Sequence, residues 1–166
     1  MSELRTDRIV PKDGLSSGSY GGIIQIRYMQ LEGSNYTTQS TSFVDVPNYN
    51  LTITPIRSDS KIMAFVNSRV ANTTPDGNSI NKRMGFNLLR GSTKIAEQFV
   101  GDYYGGTGGS DLNNYHNVSI HCLDSPATTS ATTYKIQINS DSSGSTAVVV
   151  AGGWARSTIT LMEVTA

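Results

Sequence analysis

Apolar side chains in this chain recur at every second position, and no stretch sustains a period of 3.6 residues. The clearest case brackets a single loop. Val118, Ile120 and Cys122 fall on one face of the first run, with Ser119 and His121 on the other. In the second run Tyr134, Ile136 and Ile138 alternate with Lys135 and Gln137. Alternation of this kind puts successive side chains on opposite faces of a strand and marks one face as buried. Between the runs, Asp124-Ser125-Pro126 ends the ladder, because Pro126 has no N–H to donate. The unit is strand, loop, strand.

The same rhythm extends along the chain. Ile23 to Met29 is the first strand, with Ile24, Ile26 and Tyr28 on one face, and Gly33-Ser34-Asn35 is a turn. Ser42 to Val46 is the second, stopped by Pro47-Asn48, and Leu51 to Thr54 is the third, stopped by Pro55. Lys61 to Val66 is apolar on both faces, which predicts a central strand covered on both sides. Met84, Phe86 and Leu88 alternate next, and Gly91-Ser92 turns the chain into Lys94 to Val100. A long glycine-rich loop is expected from Gly101 to Tyr115. Thr146 to Ala151 and Ser157 to Val164 complete the set, and the last strand is expected to pair with an early one. The predicted fold is all-β: an antiparallel two-sheet sandwich, jelly-roll-like, of about ten short strands. It occupies residues 23–166, preceded by an extended N-terminal arm over residues 1–22.

Charge and length narrow the function classes. A chain of 166 residues fits one domain and removes roughly 70% of its unfolded surface from water. Lys plus Arg equals Asp plus Glu, at 13 each, which argues against a general grip on nucleic acid, since that needs a basic surface. No apolar run approaches the roughly 20 residues of a membrane helix. Met1 to Val10 is polar and charged, unlike a signal peptide, so synthesis in the cytoplasm is expected. The single cysteine, Cys122, sits on the apolar face of its strand and reads as a small buried side chain. His121 points to the opposite face and does not activate it.

The arm has a different character. Asp13-Gly14 is a turn signal, and Ser16 to Gly22 is linker-like. Such a segment builds no core alone and is ordered only when tied down. Leu4, Ile9, Val10 and Leu15 are its apolar contacts, expected to seat against neighbouring chains.

Little in the sequence carries chemistry. Gly105 to Ser110 lacks the Gly-Lys-Ser/Thr ending and following helix of a phosphate loop. His116 and His121 have no Cys or carboxylate at metal-ligand spacing. Asp102, Asp111, Asp124 and Asp141 stand apart, without an Asp-x-Asp-x-Asp pattern. The expectation is no catalytic residue, no cofactor and no metal. Recognition has better material. Tyr103, Tyr104 and Tyr115 frame a glycine run, and Trp154 stands among Gly152, Gly153, Ala155 and Arg156. Rings among small residues stack on sugars or pack on protein with little ordering cost.

Four blocks also occur in a telling order: Gly21-Gly22-Ile23-Ile24-Gln25, Thr41-Ser42-Phe43-Val44-Asp45-Val46, Leu89-Arg90-Gly91-Ser92-Thr93 and Leu123 to Ile138. With Leu4 to Gly14 at the start and Ser157 to Val164 at the end, the chain resembles small virion proteins of tailed bacteriophages, especially phages of marine bacteria and cyanobacteria. These are described as tail-fibre or structural proteins. The resemblance spans nearly the whole chain and supplies no catalytic residues. It implies a non-enzymatic tail-fibre or fibre-tip domain in the virion, attached through its arm. The partners it implies are sister copies in a homotrimer, other virion proteins and a host cell-surface glycan. A capsid decoration or head-fibre protein is the alternative within that class. A carbohydrate-active tailspike enzyme is the alternative from another class. The absence of a β-helix repeat and of a carboxylate pair argues against it.

Overall fold

The structure, a computed structural model, describes residues 22–74, 82–102, 112–141, 144–151 and 156–165. Among these, ten strands follow in order: β1 (Ile23–Gln30), β2 (Tyr36–Thr38), β3 (Val44–Ile53), β4 (Lys61–Thr74), β5 (Lys82–Arg90), β6 (Thr93–Asp102), β7 (Leu112–Asp124), β8 (Thr132–Ser140), β9 (Thr146–Val149) and β10 (Thr158–Val164). Their pairing nests. β5 pairs with β6, β4 with β7, β3 with β8 and β1 with β10, all antiparallel. The chain is thus one long ribbon folded at the β5–β6 turn, where Gly91 takes a positive φ of 57°.

The ribbon then rolls on itself. β10 pairs with β4, and β8 pairs with β5. Sheet A runs β1-β10-β4-β7, and sheet B runs β3-β8-β5-β6. The short β9 pairs with the far end of β4, and β2 pairs with β9. A nested ribbon wound into two sheets, one of six strands and one of four, is a jelly roll, as expected. β10 also pairs with the early strand β1, as anticipated.

Between the sheets the alternation acts as the sequence implies. Ile62, Ala64, Val66, Ile159 and Leu161 of sheet A face Met84, Phe86, Leu88, Tyr134, Ile136 and Ile138 of sheet B, all fully buried. Two tyrosines tie the layers. Tyr49 Oη, from β3, lies 2.5 Å from Ser68 Oγ, 3.1 Å from Asn67 O and 3.2 Å from Thr158 O, on β4 and β10. Tyr134 Oη, from β8, donates to Asp124 Oδ2 at 2.6 Å. Asp124 ends β7 and also accepts from Arg90 Nη1 at 2.6 and 2.7 Å. Burial, with the Asp124 hydrogen bond and charge added, holds the Tyr134 hydroxyl far above its ordinary pKa. It therefore stays a donor.

Glu163 is a third anchor, fully buried on β10. Its Oε1 accepts from the Ile56 and Arg57 amides at 2.8 and 3.3 Å, and its Oε2 from Gln25 Nε2 at 2.6 Å. Burial raises this carboxyl's pKa, but the hydrogen bonds outweigh burial and keep it below the usual range. The β3–β4 loop is pinned by these amides.

Four expectations need correction. Ser42–Val46 and Leu51–Thr54 are not separate strands: both fall largely within β3, whose register shifts between Asp45 and Asn50. Pro47-Asn48 forms a bulge there, with Asn48 at φ 61°. β3 is an edge strand, where a missing N–H breaks no inner ladder. β2 was not foreseen. The loop after β6 is shorter than Gly101 to Tyr115, because Gly101 lies in β6 and Tyr115 in β7. Finally, Lys61–Val66 is central in its sheet but not covered on both sides. Ile62, Ala64 and Val66 are buried, while Met63 and Phe65 are only half-buried on the outer face. The arm contacts Leu4, Ile9, Val10 and Leu15 lie outside the described residues.

Candidate functional site

Sheet A turns an unusual face outward, and register explains why. Ile159, Leu161 and Glu163 of β10 point into the sandwich, so Thr158, Thr160 and Met162 point out. Pairing then lines up residues across four strands. Ile26, Met162, Met63 and Leu123 form one rung. Tyr28, Thr160, Phe65 and His121 form the next. Ile26 is 54% exposed, Tyr28 60% and Leu123 50%. The apolar set of β1 was expected on a buried face. Its members Ile26 and Tyr28 lie on the outer one, because β10 fixes the register and Gln25 and Met29 take the inner positions, while Ile24 falls in the register shift between Ile23 and Gln25.

One rung further, the face changes chemistry. Gln30, Thr158, Asn67 and Ser119 line up, and Ser119 Oγ donates to Asn67 Oδ1 at 2.9 Å. Arg69 and Asn117 pair beyond them. A pocket of about 380 Å³ opens here, lined among the described residues by Asn67, Ser68, Arg69, Asn117, Val118, Ser119 and Arg156. Arg156 is half-exposed, with a long 3.8 Å contact to Glu32. Tyr115 stands two residues before Asn117 on the same face, 51% exposed. The Arg69 guanidinium sits 4.8 Å from its ring centroid, a cation–π arrangement that holds both groups in place.

Of the recognition residues expected from sequence, Tyr115 is therefore placed beside a pocket, on a strand and not in a loop. Tyr103, Tyr104 and Trp154 lie outside the described residues. Arg69 and Arg156 went unforeseen, since no local spacing joins positions that far apart in the chain. The outward apolar rungs did leave a trace: Met63 and Phe65 in a run apolar on both faces, and Leu123 out of phase with Val118, Ile120 and Cys122.

Cys122 packs half-buried against the core. Burial, then the nearby Asp124 charge, pushes its thiol above the ordinary pKa, away from nucleophilic use. His121 points outward opposite Phe65. Asp124 and Glu163 are engaged in the hydrogen bonds above. Among the described residues no group of three His, Cys, Asp or Glu is placed to hold a metal ion.

No family model matches the chain, and no curated protein matches it. Solved structures do align with it. Dimeric latent PorU from Porphyromonas gingivalis superposes with a TM-score of 0.41 at 11% identity, over 94% of this chain and 14% of that one. The infectious bursal disease virus Gt strain structure gives 0.37 at 17%, over 98% of this chain and 43% of that one. The VP2 subviral particle of the same virus gives 0.32 at 14%, over 97% and 43%. This chain spans less than half the length of each of these proteins, and at such scores the likenesses do not bear on what it does.

Proposed function

We propose that the chain is a virion structural protein of a tailed bacteriophage: a tail-fibre or fibre-tip domain, attached through residues 1–22 and assembled as a homotrimer. It acts by binding and packing, not by catalysis. The resemblance of the sequence blocks named above to small phage virion proteins is what supports the setting. The observation that carries the assembly reading is the apolar rung Ile26-Met162-Met63-Leu123 on sheet A, with Tyr28 and Phe65 in the rung beside it. Strands about 4.8 Å apart and rungs about 7 Å apart give a patch on the order of 300 Å². That is smaller than a whole interface of roughly 800 Å² per partner, but it suits the apolar core of one with a polar rim. The rung of Gln30, Thr158, Asn67 and Ser119 supplies part of such a rim. Three copies turning this face toward a common axis bury it.

Light scattering on the purified chain is expected to report about three chains. The double variant Met63→Lys, Met162→Lys is expected to give monomers with the cooperative melt retained, because both side chains point away from the core. A wild-type monomer at micromolar concentration, or a trimer indifferent to the two lysines, overturns the assembly reading.

A further inference from the structure

His121 stands in the second of the outward rungs of sheet A, in register with Phe65, Thr160 and Tyr28. Resting on the assembly reading above, we infer that this imidazole makes the homotrimer sensitive to pH. Copies associate while His121 is neutral and separate when it takes a proton.

Position comes first. Leu123, the next outward residue of β7, belongs to the apolar rung and is 50% exposed. Phe65, opposite His121 on β4, is half-buried, and His121 itself is exposed in the single chain. An interface that covers both rungs therefore takes His121 out of water with them. A neutral imidazole tolerates this, because its ring has an apolar body with one donor and one acceptor. An imidazolium does not, unless a negative charge meets it, because burial disfavours the charged form.

The surroundings come second. On β4 the outward neighbours are Phe65, Met63 and Asn67. The charged side chains on that face of β4 are Lys61 and Arg69, each two rungs away, and neither brings a negative charge. β10 presents Thr160 and Met162, and β1 presents Tyr28 and Ile26. On β7, Ser119 and Leu123 flank His121. Asp124 turns inward, where it accepts from Arg90 and Tyr134. The acid of β10, Glu163, also turns inward, to Gln25 and the loop amides. Three copies turning this face to one axis bring the same set again.

The pH window is the third point. Histidine side chains change charge between roughly pH 5 and 8. The carboxylates of Asp45 and Glu163 are both held below the usual range, so the sandwich keeps these anchors through that window. The chain's other histidine, His116, lies on the inner side of β7, by the alternation that puts His121 outside. A proton on His121 is opposed in the trimer and not in the free chain. Association is therefore complete above the window and is lost as pH falls through it. Dissociation takes up as many as one proton per copy, which makes the loss steep.

The test is light scattering of the full chain over a concentration series at about pH 8 and about pH 5. The expected result is a trimer at the higher pH. At the lower one the concentration for half-dissociation rises about tenfold or more, with the cooperative melt retained. His121→Gln is expected to be trimeric at both values and His121→Lys monomeric at both. Neither side chain enters the core, and the melt of each variant checks this. Four results overturn the inference and leave the assembly proposal standing: equal dissociation of the wild-type trimer at both values, a His121→Gln trimer that still separates in acid, a His121→Lys chain that assembles like wild type, or dissociation only where the fold itself melts. A wild-type monomer at both values removes the assembly proposal, and this inference with it.

Discussion

The two sheets meet the outside differently. Sheet B ties together much of its outer face. Lys135 Nζ and Gln137 Nε2 both donate to Asp45, at 2.8 and 2.7 Å, and Thr52 pairs with Thr133 across the edge at 2.7 Å. At an apolar spot on this face the chain lays a ring of its own over the sheet, though Phe99 stays 43% exposed. The Phe43 ring lies over Gly85 and meets Phe99 edge-on at 6.4 Å, with the Arg83 guanidinium 5.4 Å from the Phe99 centroid. Sheet A has no such lid among the described residues: Ile26, Tyr28 and Leu123 stand half or more exposed in register across its strands. Both faces come from the same ribbon with the same alternation. The difference is that sheet B is satisfied largely by its own chain, while the outward apolar residues of sheet A have no such cover among the described residues. An exposed apolar patch shared by four adjacent strands marks an interaction surface in a way that scattered exposed residues do not.

The largest expected effect comes from the joint behind both faces. Asp124→Ala removes the acceptor shared by Arg90 and Tyr134 and leaves a part-buried guanidinium and a buried hydroxyl without their partner. Breaking a buried charge pair from one side costs about 3–5 kcal/mol. Chemical denaturation is expected to show a loss of that size. A loss below about 1 kcal/mol, as for a surface pair, would mean that the sheets are held by apolar packing alone.

A smaller effect tests the lid on sheet B. A methyl group at position 85 would fall 2.5 Å from Phe43 Cζ and closer still to Asn139 Oδ1. Asn139 is not free to yield: its Oδ1 accepts from the Gly85 amide and its Nδ2 donates to Thr41 O, each at 2.9 Å. Gly85→Ala is therefore expected to cost about 1–3 kcal/mol, the usual range for overpacking. It is also expected to raise the exposure of Phe43 and Phe99, measured as binding of a hydrophobic dye. A stable variant with no added dye binding would mean that the lid is loose and the two faces are less different than they look.

The strands were legible because alternation is a local property. Tyr134, Ile136 and Ile138 needed only their own spacing to be placed in the core. Which face of a strand turns inward is not local. In β1 the apolar residues Ile26 and Tyr28 looked like a core face, and the register with β10, near the other end of the chain, turned them out. Pro47 looked like a stop for the same reason: its tolerance depends on β3 being an edge strand, which only the sheet order reveals. Of the pocket, Tyr115 was legible by residue type and neighbourhood. Arg69 and Arg156 were not, because β4 and the segment before β10 meet only once the ribbon has rolled. Glu163, an isolated acid in an apolar strand, gave no hint that its partners are loop amides.

The smallest expected effect lies on the exposed side of sheet B. Asp45 is held below the usual carboxylate pKa, first by the Lys135 hydrogen bond and then by that of Gln137. A depressed folded-state pKa means that the contribution is complete above the unfolded value and fades as pH falls through the folded one. The window is acidic, at and below the ordinary carboxylate range. Asp45 has a side chain 54% exposed and its partner Lys135 one 30% exposed, so water screens the pair and its worth is about 0.2–1 kcal/mol. Asp45→Asn is expected to lower stability by that amount at neutral pH and to converge with wild type in acid, seen as denaturation midpoints across a pH series. The oligomer is expected to survive the change, since this face is already satisfied by its own chain. If Asp45→Asn instead releases monomers while the sheet A lysines do not, the roles of the two faces are reversed, and sheet B is the one that meets a neighbour.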